Sequence, residues 1–157
     1  MTSTFYVLAS IDNNPTLFRV RAGDITQSIN AVNEYCEKRY SGTSIDCYVV
    51  EAFFEDVYKE SLPHALVSVN CDDDREAELI VLSDVSEYRE VVEDYEEEYP
   101  ECLVESRLIF MSDVERRIAR FYEMEKGLDI ERAVERARMV ADRVVDLDGT
   151  PGSGEGK

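Results

Sequence analysis

The chain has 157 residues, 44% of them hydrophobic, which is one domain's length with enough apolar surface for a core and excludes a long disordered polypeptide. Thirty-five acidic against seventeen basic residues leave a formal net charge of −18 and a pI near 4.3, so unaided binding to a phosphate backbone is electrostatically disfavoured. No apolar run approaches the ~18 residues of a membrane span. Met1–Thr4 lack the basic segment of a secretory signal, so the expectation is a cytoplasmic protein with neither membrane nor nucleic acid as a direct ligand.

From the N-terminus, Phe5-Tyr6-Val7-Leu8-Ala9-Ser10 reads as a strand, Asn13-Asn14 as its turn, and a second strand follows. Asp24-x-x-Gln27 is a capping box, and the helix it opens, Asp24 to Tyr40, presents Ile25, Ile29, Val32 and Cys36 on one face. Cys47 to Phe54 closes the unit as a strand rich in Val and aromatics.

A shift of sixty positions repeats the pattern: Val7 meets Val67, Asp12 meets Asp72, Asp24 meets Asp84, Val32 meets Val92, Tyr35 meets Tyr95 and Glu37 meets Glu97. Ala65-Leu66-Val67-Ser68-Val69-Asn70 opens the second copy, and Asp73-Asp74 fill the turn. Asp84-x-x-Glu87 starts a helix to Tyr99 with Val85, Tyr88, Val92, Tyr95 and Tyr99 on one face, and Cys102 to Phe110 ends the copy. Ser112-Asp113-Val114-Glu115 then caps a helix through Val114, Ile118, Phe121 and Tyr122 to a stop at Gly127. Asp129 caps a last helix with Ile130, Ala133, Val134, Ala137, Val140, Ala141, Val144 and Val145 at three- and four-residue steps.

The predicted fold is α+β: two tandem ββαβ repeats with antiparallel sheet, residues 1–63 and 64–111, then a C-terminal helical hairpin at 112–148. Gly149–Lys157, with four glycines in nine residues, reads as a flexible tail.

The acidity is local. Residues 1–63 carry a net −4, residues 64–111 a net −12 and residues 112–157 a net −2. In the second repeat Asp72, Asp73 and Asp74 fill the turn and Glu76 and Glu78 follow on the next strand. Glu87, Glu90, Glu93, Asp94, Glu96, Glu97, Glu98 and Glu101 belong to or follow the helix. The first repeat has Asn13-Asn14 and Lys38-Arg39 at the matching places. A solvated acidic face explains many such runs. Adaptation to a salty cytoplasm is a second explanation, with four lysines against thirteen arginines, but it should spread the acid evenly. The sharper reading takes these thirteen carboxylates as a surface that imitates a phosphate backbone and receives a basic surface of another protein, one that itself binds nucleic acid. In the hairpin Arg116, Arg117, Arg120, Arg132, Arg136, Arg138 and Arg143 alternate with acids, either as exposed helix support or as a surface that forms a homodimer.

Motifs for chemistry fail their context. Asp146-Leu147-Asp148-Gly149-Thr150 matches the D-x-D-G-T signature of haloacid dehalogenase phosphatases, but its preceding segment reads as helix and no catalytic domain follows it. Gly149–Lys157 looks like a phosphate loop with Glu155 where the lysine belongs. Asp72-Asp73-Asp74 lack the Gly and terminal Glu of a calcium loop. Cys36, Cys47, Cys71 and Cys102 form no C-x-x-C pair, and with one histidine no zinc site is expected; all four read as reduced core thiols. His64 follows Pro63 in the linker between repeats and reads as structural, and Tyr6, Phe18, Phe53, Phe54, Phe110, Phe121 and Tyr122 read as core. No catalytic residue, metal or cofactor is called for. In size and charge the chain is similar in type to small acidic inhibitors carried by phages and mobile elements, anti-restriction and anti-CRISPR proteins among them. That resemblance implies a non-enzymatic inhibitor of a basic protein; the alternative is an immunity-type or assembly protein that binds through the hairpin. A hydrolase using carboxylates without histidine would need a cleft holding two carboxylates of different acidity.

Overall fold

The computed structural model describes residues 2–55 and 60–148. The fold is α+β with seven strands in two sheets: β1 (Ser3–Ile11), β2 (Asn14–Ala22), α1 (Ile25–Tyr40) and β3 (Cys47–Phe54) make the first ββαβ set. β4 (Ser61–Cys71), β5 (Asp74–Val81), α2 (Glu87–Glu98) and β6 (Leu103–Ser112) make the second. A helical pair, α3 (Asp113–Lys126) and α4 (Ile130–Ala141), is followed by a short strand, β7 (Val145–Asp148). The strand orders are β3-β1-β2-β7 and β5-β4-β6, so each repeat builds its own sheet with its first strand central. Two compact units result, residues 1–59 with 137–157 and residues 60–136.

Both hairpins turn on two residues, Asp12-Asn13 and Asp72-Asp73, since Ile11 pairs with Asn14 and Cys71 with Asp74. Asp12, Asn13 and Asp72 take positive φ, a region that Asn and Asp tolerate better than other non-glycine residues. The turns thus sit one residue earlier than Asn13-Asn14 and Asp73-Asp74, because Asn14 and Asp74 already pair. Phe5 pairs with Phe54, whereas its equivalent Ala65 pairs with Leu108 rather than with residue 114; five of these six residues are saved in the link after the second helix and one by the absence in the second sheet of the register shift that β1 and β3 show at Leu8/Ala9.

α1 is capped as its sequence predicts: Asp24 accepts from the Gln27 amide (2.8 Å), and Gln27 accepts from Gly23 N–H (2.7 Å). The second copy departs from this. Glu87 accepts from Ser83 N–H (2.7 Å) as Gln27 does from Gly23, but Asp84 accepts from Ser86 N–H (3.0 Å), and the α-helix starts only at Glu87. Spending the Asp84 side chain on the Asx-type turn leaves it unable to cap at Glu87.

In the first unit Phe5, Val7, Ala9, Phe18, Val20 and Ala22 pack with Val32 and Cys36 of α1, and Val145 and Leu147 of β7 join them. In the second, Ala65, Val67 and Leu82 pack with Tyr88, Val91 and Tyr95 of α2, none of whose residues is fully buried. Phe18, Phe53, Phe121 and Tyr122 are core as expected, but Phe54 and Phe110 are about half exposed, at 48% and 51%. Both lie on edge strands, β3 and β6, each of which pairs with a single strand among the described residues.

The Ser112 capping box forms as predicted, with Ser112 Oγ accepting from Glu115 N–H and the Glu115 carboxylate from Ser112 N–H. Gly127 ends α3 in the left-handed region at φ 67. No atom stands within 4 Å of a Cβ added there, so Gly127→Ala carries only backbone strain. It is expected to lose about 1 kcal/mol in urea unfolding; an unchanged midpoint would show that the stop does not depend on glycine. The last helix ends at Ala141, earlier than predicted, and Val144-Val145 leave the helical stripe because Val145 pairs with Phe18 as part of β7. β-branched residues are at home in that setting. Asp146-Leu147-Asp148 therefore lies on a strand rather than after a helix. Gly149–Lys157, with the tail and phosphate-loop readings, fall outside the described residues.

The cysteines are paired rather than reduced, as Cys36–Cys47 and Cys71–Cys102. Local apolar context hides this, because the pairing follows from strand return: Cα separations of 6.0 and 4.7 Å suit a disulfide. His64 is not in a linker. It sits on β4, fully buried, with Nδ1 2.8 Å from the Leu62 carbonyl oxygen, so Nδ1 carries the proton and donates. Burial lowers its pKa, chiefly by desolvation and further by Arg116, while the Leu62 carbonyl, Asp113 and Glu115 pull the other way. Below the ordinary 6.5 the unfolded chain takes up a proton that the folded one refuses, so stability falls as pH drops through that range until the lowered folded pKa is reached. Urea midpoints measured from pH 7 down to about 5 should decline in the native chain, by up to about 1.4 kcal/mol per pH unit, and stay flatter in His64→Gln. Equal slopes would remove His64 from the account.

Candidate acidic interface

All thirteen sequence-predicted carboxylates belong to the second unit. Asp72 and Asp73 form the hairpin turn, Asp74, Glu76 and Glu78 lie on β5, Glu101 precedes β6, and the remaining seven are on α2. All are exposed except Glu87, which is half-buried and committed to Ser83 N–H. Glu78 accepts from the Tyr95 hydroxyl; burial first, and then Glu78, push that phenol's pKa up. These two are structural, and eleven carboxylates are left for a partner.

At 100° per residue Tyr88, Val91, Val92, Tyr95 and Tyr99 cluster on the inner face of the helix. Tyr88 reaches Ser106 Oγ on β6 (2.6 Å), and Tyr95 stacks on Tyr99 at 6.3 Å. The outer arc then holds Glu90, Glu93, Asp94, Glu96, Glu97 and Glu98, with Arg89 as the helix's one base at its N-terminal end. Those six charges span about 12 Å of helix axis at 1.5 Å per residue, roughly one per 2 Å; duplex DNA carries one per about 1.7 Å.

The placement opposes the helix's own field. Carboxylates are unfavourable near a helix C-terminus, yet the last turn of α2 holds Glu96, Glu97 and Glu98 and no base, whereas α1 has Lys38 and Arg39 in its last turn. Glu90/Asp94, Glu93/Glu97 and Asp94/Glu98 add like-charge pairs at four-residue spacing. The Cys71–Cys102 bond brings the two acidic runs together, because Asp72 follows one of its cysteines and Glu101 precedes the other. A covalent tie thus holds like charges at one end of the sheet.

A cavity of about 460 Å³ in the first unit is lined by Thr4, Arg19, Arg21, Glu55, Asp146 and Leu147. Sequence reading missed it, although the alternation Arg19-x-Arg21 against Asp146-x-Asp148 was its signal. Arg19 Nε donates to Asp146 (2.8 Å), and burial first, then the Glu55 carboxylate, push the pKa of the Tyr6 phenol up while Arg19 pulls it down. The first aspartate of the phosphatase-like motif is thereby engaged by an arginine, which ties β7 to β2. Among the described residues no group of three or more His, Cys, Asp or Glu side chains is placed to hold a metal ion, and no helix is long and apolar enough to cross a membrane. Comparison of the chain with family models, curated proteins and solved structures finds no match.

Proposed function

We propose that this chain is a small, non-enzymatic inhibitor whose acidic second repeat imitates a phosphate backbone and blocks a basic, nucleic-acid-binding surface on another protein. Anti-restriction and anti-CRISPR proteins of phages and mobile elements are the type it fits. The observation that carries the reading is the row of carboxylates on α2, set against the helix dipole where α1 has cations. An arrangement that costs stability calls for a return in binding. The only imidazole, buried against Leu62, is out of reach of a substrate, which supports a non-catalytic role.

Glu93→Lys/Glu96→Lys/Glu97→Lys tests it: the native chain should compete with DNA or RNA for its partner, and the variant should not. The alternative, an immunity-type or assembly protein binding through the hairpin and able to form a homodimer there, draws on Met124, 78% exposed on α3. It expects that triple variant to bind normally.

A cytoplasmic site of action conflicts with the two disulfides, which are characteristic of oxidising compartments. Alkylation of the protein as it comes from cells decides the matter: four blocked thiols place it in a reducing compartment, none in an oxidising one.

A further inference from the structure

In the first sheet β7 covers the outer edge of β2. By the sixty-residue repeat β5 is the counterpart of β2, yet no strand pairs with its outer edge among the described residues. The β2 edge shows how such an edge is read. β7 runs along it with Val145 opposite Phe18, Asp146 opposite Arg19 and Leu147 opposite Val20. Apolar residues thus meet apolar ones on the α1 side, and acid meets base on the other.

The backbone groups that β5 offers follow from one hydrogen bond. Leu82 N–H donates to the Pro63 carbonyl (2.9 Å), and in an antiparallel pair such groups alternate. Glu76, Glu78 and Ile80 therefore direct their backbone groups at β4, and Arg75, Ala77, Leu79 and Val81 direct theirs outward. Side chains alternate as well. Glu76 and Glu78 lie on the α2 side, as the bond from Tyr95 to Glu78 shows, while Ala77, Leu79 and Val81 lie on the other, with Val81 43% exposed. The edge thus carries a charged-and-apolar alternation, as β2 does, with the sign of the charge reversed and the faces exchanged: Glu76 and Glu78 lie on the helix side, with Ile80, whereas Arg19 and Arg21 lie away from α1.

We propose that the β5 edge receives an extended segment of the partner protein in which basic and apolar residues alternate, added as a further strand of the second sheet. This rests on the reading of the second repeat as a receptor for a basic protein and gives that partner a sequence pattern. Bases on one side of the added strand meet Glu76 and the Asp72–Asp74 turn, and apolar residues on the other extend Ala77, Leu79 and Val81. Main-chain hydrogen bonds supply affinity and the alternation supplies selectivity. A second copy of this chain is a poor occupant, because its own strand at the equivalent edge, Val145–Asp148, carries acid.

The test uses the full chain and a short synthetic peptide alternating lysine with valine, at low salt, with amide hydrogen exchange read by NMR. The N–H groups of Arg75, Ala77, Leu79 and Val81 should slow by at least about tenfold when the peptide is present. Of two peptides N-methylated at alternate residues in opposite phases, the one that loses the N–H groups facing β5 should bind far less well and the other nearly as the parent does, and Glu76→Lys should remove the protection. Ala77→Pro deletes only an outward N–H, so it should keep the fold and weaken the peptide by a similar factor. Binding that ignores N-methylation and Ala77→Pro would mean attraction by charge alone and overturn edge addition, while leaving the α2 reading in place. No protection of the four amides also overturns it and makes Glu76 and Glu78 guards against edge-to-edge association. Conversely, protection together with normal partner binding by Glu93→Lys/Glu96→Lys/Glu97→Lys keeps the edge and removes the helix.

Discussion

Breaking the two disulfides is expected to destabilise the protein more than any other single treatment. Cys36–Cys47 and Cys71–Cys102 close loops of sequence separation 11 and 31, and the chain-entropy model assigns such loops about 3 and about 4 kcal/mol. The sum is comparable to the entire stability of many domains, ~5–15 kcal/mol, and this chain also carries the self-repulsion of a −18 charge. Urea unfolding with and without dithiothreitol measures the total, and Cys36→Ala/Cys47→Ala against Cys71→Ala/Cys102→Ala divides it. The second pair should cost more and should also free the Asp72–Asp74 turn from the acidic run that ends at Glu101. Superimposable curves in the two conditions would show that neither bond contributes.

The parts of the fold legible beforehand were those written in short-range periodicity. Asp24 and Gln27, Ser112 and Glu115, and Gly127 specify helix ends through bonds spanning three or four residues, and all of them form. The two ββαβ units follow from strand and helix patterns repeated at sixty, but that each builds its own sheet is shown only by the strand pairing. What stayed hidden was long-range or degenerate. Cysteine pairing depends on which strands return beside each other, which no local window contains. Val144 and Val145 continue the spacing of the last helix so well that only pairing with β2 distinguishes strand from helix. His64 beside Pro63 reads as linker, because proline is rare inside sheets. Here Pro63 keeps its carbonyl, which accepts from Leu82 N–H, and the donor it lacks costs the ladder with β5 one bond near the start of β4. Of the acidic set, sequence placed every member in the right repeat but could not separate Glu87 and Glu78, which hold the fold, from the eleven that face solvent.

Glu93→Lys/Glu96→Lys/Glu97→Lys should stabilise the protein while destroying its binding, and the opposite signs are what identify a functional surface. Glu96 and Glu97 sit in the last turn of α2, where exchanging an anion for a cation reverses an interaction of about 0.3–1 kcal/mol with the helix dipole. The cations introduced in place of Glu93 and Glu97 would still be like charges at four-residue spacing, and reversing Glu93 also gives up its i,i+4 pairing with Arg89, so the gain comes from Glu96 and Glu97 in the last turn. A net gain of about 1–2 kcal/mol is expected in the urea midpoint at ~0.1 M KCl, shrinking by ~2 M as screening shortens to a few Å. Partner affinity should fall by about two orders of magnitude, near 1 kcal/mol for each reversed charge. Had the acid been a general adaptation to salt, the native chain would fold only in concentrated KCl, and the variant's gain would bring no loss of binding. A variant that is less stable and binds as before would instead make the carboxylate row part of the fold's support.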